Sequence, residues 1–169
     1  MTPPRILVAG IGNIFLGDDA FGVEVVQRLA KRTLPEGVRV IDFGIRGFDL
    51  AFALQDDYDA AILVDAIRRD GPPGTLYVIQ PDLETVNAPD DGGTTAEAHG
   101  MNPDEVFRLV KAMGGRFPRI RLVGCEPATL GPEGGGDMGL SPLVLAAVGP
   151  ATELVESLVG ELRTGNDEF

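Results

Sequence analysis

The chain has 169 residues, 44% of them hydrophobic, which is enough to bury one sizeable core in a single domain. Its net charge of −12 repels phosphate backbones, so composition argues against a nucleic-acid partner and favours basic protein segments or metal ions. A lone cysteine, Cys125, leaves no internal disulfide.

The first apolar run, RILVAG (5–10), reads as a buried strand. It is short and broken by Gly10 and Gly12, so it is not a signal peptide, and no other run reads as long and apolar enough to span a bilayer. The expectation is a soluble, cytoplasmic protein without a membrane partner. The loop GIGNIFLGDDAFG (10–22) follows, and helical spacing of Phe21, Val25, Val26 and Leu29 predicts a helix over 19–32. VRVIDF (38–43) and AAILVDA (60–66) are further strands, with GFDLAFALQ (47–55) a short helix between them. GTLYVIQP (74–81) is a more amphipathic strand, and RIRLVGC (119–125) a buried one. NPDEVFRLVKAMGG (102–115) carries explicit helix signals: Asn102 to cap, Pro103 at the first position, Glu105 where a capping box places an acid, and Gly114 to stop. Ser141 and Pro142 repeat the device before a last helix, which Gly149-Pro150 is expected to kink or divide.

Strands alternating with helices predict an α/β fold: a three-layer α/β/α sandwich with a mostly parallel twisted sheet in a single domain spanning 1–169, its tail frayed from about residue 164. Two loops, 83–98 and 132–139, stand out as polar or glycine-rich, and long structureless loops in compact α/β domains are usually functional lids or disordered insertions.

In such folds ligands bind beyond the carboxyl ends of the strands. The loop after the first strand supplies two glycines of a dinucleotide fingerprint, with Phe15 at the third position and with Asp18 and Asp19 where a phosphate would sit. That charge disfavours a dinucleotide, although Asp42, ending the second strand, has the place of a ribose-binding acid. Asp18 suits a helix cap, which leaves Asp19 free to point elsewhere. Asp65 closes the most apolar strand, where a carboxylate is costly unless it is paired, hydrogen-bonded or metal-bound. His99 is the only histidine and precedes a capped helix. Two carboxylates and an imidazole make a three-ligand site with open positions. Cys125, ending a buried strand, reads as a packing residue rather than a nucleophile.

Together these segments resemble the hydrogenase maturation endopeptidases, which trim the C-terminal extension from the large subunit of nickel–iron hydrogenase. The matching pieces come in family order over nearly the whole chain: ILVAGIGNIFLGDDAFGV, VIDFGIRGFDL, ILVDAI followed by PGTLYVI, HGMNPDEV, and LVGCEPATL with GLSPLVLAAV. The resemblance implies a metal site of Asp19, Asp65 and His99, with Asp19 where the family often has Glu. It implies that Asp42 and Gly44, retained from a D-G-G-T-type turn that here reads DFGIRG, bear on substrate choice. It further implies that the metal is nickel supplied by the substrate, other divalent ions substituting, and that the partner is a precursor large subunit. Asp19 and Asp65 are then also the candidate catalytic acids, their roles open between ligating a metal that polarises the carbonyl or activates water and general-base catalysis. A non-catalytic metal- or nucleotide-binding α/β module is the alternative.

Overall fold

The computed structural model describes residues 2–86, 102–130 and 139–165. The sheet has five strands: β1 (Ile6–Ile11), β2 (Val38–Gly44), β3 (Ala60–Ala66), β4 (Leu76–Ile79) and β5 (Arg119–Cys125), in the order β2-β1-β3-β5-β4. Four strands run parallel, and β4 pairs antiparallel with β5. The helices are α1 (Phe21–Leu29), α2 (Gly47–Leu54), α3 (Pro103–Ala112) and α4 (Pro142–Thr164), with a 3-10 turn, Gly17–Ala20, ahead of α1.

Alternation along the strands splits the core in two. Ile6 and Val8 of β1 pack with α1 and α4, whereas Leu7, Ala9 and Ile11 pack with α2 and α3. The three-layer α/β/α expectation is met. β1 and β3 are nearly continuous apolar runs because both faces are covered, and β5 buries every residue after Arg119, Arg121 included. β2 is an edge strand and differs, since only its Phe43 is fully buried.

The start and stop signals of α3 hold, whereas α1 and α4 depart from expectation, and Ser141 makes no side-chain cap bond to α4. The capping oxygen of Asn102 accepts from the Glu105 N–H at 3.0 Å, and Gly114 sits at φ +69° past the end of α3. The first helix begins as a 3-10 turn, and its α-helical part is Phe21–Leu29, shorter than the periodicity suggests. The last helix is not divided: α4 runs 23 residues through Pro150. Pro150 removes one backbone bond, a cost offset by burial of Val148, Ala151 and Val155 around it. α4 is also long and apolar enough, by length and composition, to cross a membrane, contrary to the sequence reading. Its Val144, Val148, Val155 and Val159 are buried in the core shared with α1 and the sheet, as befits a core helix. The chain beyond Gly165 and most of the two long loops lie outside the described residues.

The chain leaves β1 for β2 on one side and then crosses back over β1 to β3 on the other. The switch point therefore falls between the carboxyl ends of β1 and β3, where a crevice opens in folds of this kind. Close approach of α1 to that point rests on Gly22, where a Cβ would lie 2.1 Å from the Val64 carbonyl oxygen and 2.4 Å from that of Ile11. Both neighbours are backbone and cannot give way. Gly22→Ala is therefore expected to lower stability by about 1–3 kcal/mol or more, read as a shifted urea midpoint at unchanged m-value.

Candidate functional site

The switch point holds the two acids singled out in the sequence. Asp19 stands in the 3-10 turn beyond β1, and Asp65 is the penultimate residue of β3. The turn is placed by Gly12, whose φ of +151° suits glycine and whose Cβ position would fall 1.9 Å from the Asp19 carbonyl oxygen. The next residue, Asn13, donates its backbone N–H to Asp19 Oδ2 at 2.8 Å, and its side-chain oxygen accepts from the Phe15 N–H at 2.9 Å.

Asp65 is 4% exposed, and its Oδ1 accepts from the Ala66 N–H at 2.8 Å. Burial pushes its carboxyl well above the usual range, the charge of Asp19 pushes it further, and the Ala66 N–H only partly opposes them. Burial also raises Asp19, against the Asn13 N–H. Two like charges thus face each other in a partly dry corner, an arrangement that favours a cation between them or a shared proton. Among the described residues no third His, Cys, Asp or Glu joins them as a ligand set, and His99 lies outside the described residues.

The other sequence candidates separate by role. Asp42 and Gly44 line an open cleft of about 310 Å³ with Gly12, Asn13, Ile14 and Ile45, beyond the carboxyl ends of β1 and β2. The Gly12 N–H donates to the Gly44 carbonyl at 3.0 Å, which ties the two loops together. The Asp42 carbonyl, rather than its carboxylate, holds Arg46 Nη2 at 2.6 Å. Asp18 is not a helix cap: neither the 3-10 turn nor α1 has a side-chain cap bond, and the Asp18 carboxylate instead turns inward, fully buried. Cys125 is fully buried, and its thiol is pushed up to about 12 by burial and by the Asp18 and Glu126 charges, against a lowering backbone bond from Gly74. It is a packing residue, as its sequence context suggests.

Two features escape sequence reading. Glu126, beyond the end of β5, is buried; burial favours its protonated form, but the Gly71 and Arg69 N–H groups and the Tyr77 hydroxyl outweigh this and lower its pKa. Those donors lie at 3.0, 2.7 and 2.8 Å from Oε1, so Glu126 ties the β3–β4 connection to β5. Its position at a strand's carboxyl end is the one signal that pointed to it. The second is that the close helix–strand packing of a dinucleotide fingerprint's third glycine is supplied here by Gly22, while Phe15 is 63% exposed.

The chain matches known proteins over most of its length. A family model described as hydrogenase maturation protease matches residues 23–158. The hydrogenase 2 maturation protease of Escherichia coli is 33% identical over 160 residues, 93% of this chain and 92% of that protein. The hydrogenase expression/formation protein HupD of Rhodobacter capsulatus is 34% identical over 162 residues, 95% of this chain and 72% of its own length. Among solved structures, the hydrogenase maturating endopeptidase HybD of Escherichia coli superposes with a TM-score of 0.69 at 31% identity, covering 93% of each chain.

The raised carboxyl of Asp65 has a consequence for stability. Folding favours its protonated form, so that contribution is complete below the unfolded value near 3.8 and is lost as pH rises through the raised folded value. In metal-free buffer at pH 7, Asp65→Asn is therefore expected to be more stable than the parent. A gain of about 1 kcal/mol corresponds to a rise in Tm of roughly 2–4 °C, shrinking as pH is lowered. A calorimetric scan at several pH values checks it, and an Asn variant that melts below the parent at pH 7 contradicts it.

Proposed function

This chain belongs to the hydrogenase maturation protease family, and from that premise we propose that it removes the C-terminal extension of the precursor large subunit of a nickel–iron hydrogenase, once nickel has been inserted. In this reading Asp19, Asp65 and His99 engage the nickel borne by the substrate. The observation that carries it is the Asp19–Asp65 pair at the switch point, where burial and mutual repulsion leave both carboxylates short of a counter-charge. Two carboxylates and an imidazole suit a borderline divalent ion with positions left for substrate ligands or water. The same chemistry accounts for a loop of dinucleotide type that presents acids: it meets a cation, and a phosphate has the wrong sign.

Asp19 and Asp65 would hold and orient the metal-bearing end of the precursor, and the ion, when bound, would supply Lewis-acid chemistry there. A buried carboxylate with a raised pKa also suits the role of proton acceptor, which makes Asp65 the better general-base candidate of the two. The cleft lined by Asp42 and Gly44 is the proposed path of the substrate tail. Ile14 and Ile45, 43% and 58% exposed, offer apolar contact along it. The partner is the precursor protein, not nucleic acid or a membrane. The cytoplasm is the proposed compartment, in keeping with a chain whose one cysteine forms no internal disulfide.

The deciding experiment incubates the protein with nickel-loaded and nickel-free precursor and weighs the products. Loaded precursor is expected to lose its tail and nickel-free precursor to remain intact; equal cleavage of both removes metal recognition from the proposal. Asp19→Asn and Asp65→Asn should keep the circular dichroism spectrum yet abolish processing, since each removes a ligand charge at nearly constant volume. Processing should also fail toward acid. Both carboxylates must be ionised to bind, burial has raised both above 3.8, and His99 must be neutral to ligate. A rate–pH profile for the His99→Gln variant against the parent locates that limb. Tight dinucleotide binding by calorimetry, with no effect on any precursor, would favour the binding-module alternative.

A further inference from the structure

Asp18 precedes Asp19 and faces the opposite way. Its Oδ2 accepts from the Ala128 N–H at 2.8 Å, the Thr129 N–H at 3.1 Å and the Ser141 hydroxyl at 2.8 Å. Its Oδ1 accepts from the Ser141 N–H at 2.7 Å. Its own N–H donates to the Thr129 carbonyl at 3.1 Å. All of these partners belong to the connection between β5 and α4. Ser141 is the N-cap residue of α4, yet its hydroxyl makes no cap bond to that helix and is given to Asp18 instead.

The turn carrying both acids is four residues long. A rotation of so short a turn moves Asp19 directly, whereas Asp65 is held by strand pairing on both sides, to Gly124 in β5 and through its neighbour Val64 to Gly10 in β1. The Asp19 carboxylate accepts one hydrogen bond among the described contacts, from the Asn13 N–H, and its own N–H donates within the loop, to the Leu16 carbonyl at 3.1 Å. The other anchorage of the turn is Asp18. A carboxylate is the one side chain of this size that accepts four hydrogen bonds without donating any.

We propose that Asp18 is a positioning residue of the processing site: with Ser141 it locks the 3-10 turn to the β5–α4 connection and thereby sets the Asp19 carboxylate against Asp65. The inference rests on the reading that Asp19 and Asp65 engage the substrate's metal. Asp18 touches neither substrate nor metal and acts through its neighbour.

The test measures kcat and KM on nickel-loaded precursor for Ser141→Ala, Ser141→Thr, Asp18→Asn and Asp19→Asn, with the folded fraction of each at assay temperature taken from circular dichroism. Ser141→Ala removes one of the four bonds and is expected to lower kcat roughly three- to tenfold at unchanged KM, and Ser141→Thr, which keeps the hydroxyl, to restore it. Asp18→Asn places an amide that cannot accept where one oxygen stood, and is expected to lower kcat by about tenfold or more. Parental kcat in folded Asp18→Asn and Ser141→Ala overturns the inference, and so does a loss that merely tracks the unfolded fraction. If Asp18→Asn does not fold, the Ser141 pair decides. Normal processing by Asp19→Asn instead overturns the underlying reading, so the two failures are told apart.

Discussion

Two carboxylates share a corner of the sheet where little water remains, and much of the surrounding architecture holds that unfavourable pair in place. Asp65 is fixed from below by strand pairing on both sides. Asp19 is brought to it by a turn that passes close over Gly12. Left as two anions they repel each other, and each has lost hydration that one backbone N–H only partly replaces. Such a pair is relieved by uptake of a cation or a proton.

The buried acids of this chain sort by the number of donors they meet. Asp18 accepts four hydrogen bonds and Glu126 three, and both serve as ties between segments distant in sequence. Asp65 accepts one among the described contacts. Asp18, with donors on both oxygens, has little capacity left for a ligand, and Glu126 spends one oxygen on its three donors, whereas Asp65 with a single donor keeps most of its lone pairs free. That difference separates a structural acid from a candidate ligand more cleanly than burial does, since all three are almost completely buried.

The loop between β1 and α1 shows how a dinucleotide-like framework can be turned to the opposite charge. Its glycines still allow a tight exit from the strand and a close helix, but the closest helix–strand contact has moved to Gly22. With that contact supplied further along, position 15 is released, and Phe15 points outward. The turn inserted before α1 then directs one acid inward to the β5–α4 connection and the next toward β3. Adjacent acids take opposite roles because successive residues of a tight turn face different sides.

Much of the architecture was legible in the sequence. Apolar runs marked β1 and β3, since a strand covered on both faces has no polar side to show, a mostly apolar segment marked β5 despite Arg119 and Arg121, and Asn102-Pro103 marked the start of α3 by satisfying its free N–H groups. Asp19 and Asp65 were legible as well, because a carboxylate at the end of a buried strand, or in the loop beside it, needs a partner. Other features depended on contacts that no local pattern encodes. The unbroken course of α4 through Pro150 is set by burial against α1 and the sheet, which outweighs the lost backbone bond. The charge of Asp19 acting on Asp65, and the bonds from Asp18 to Ser141, join residues remote along the chain. Residue types and their periodicity determined which elements form and which acids stand at their ends. Only the crossing of the chain from one side of β1 to the other decided which of those acids meet, because electrostatic coupling and hydrogen bonding depend on distance in space and not on separation in sequence.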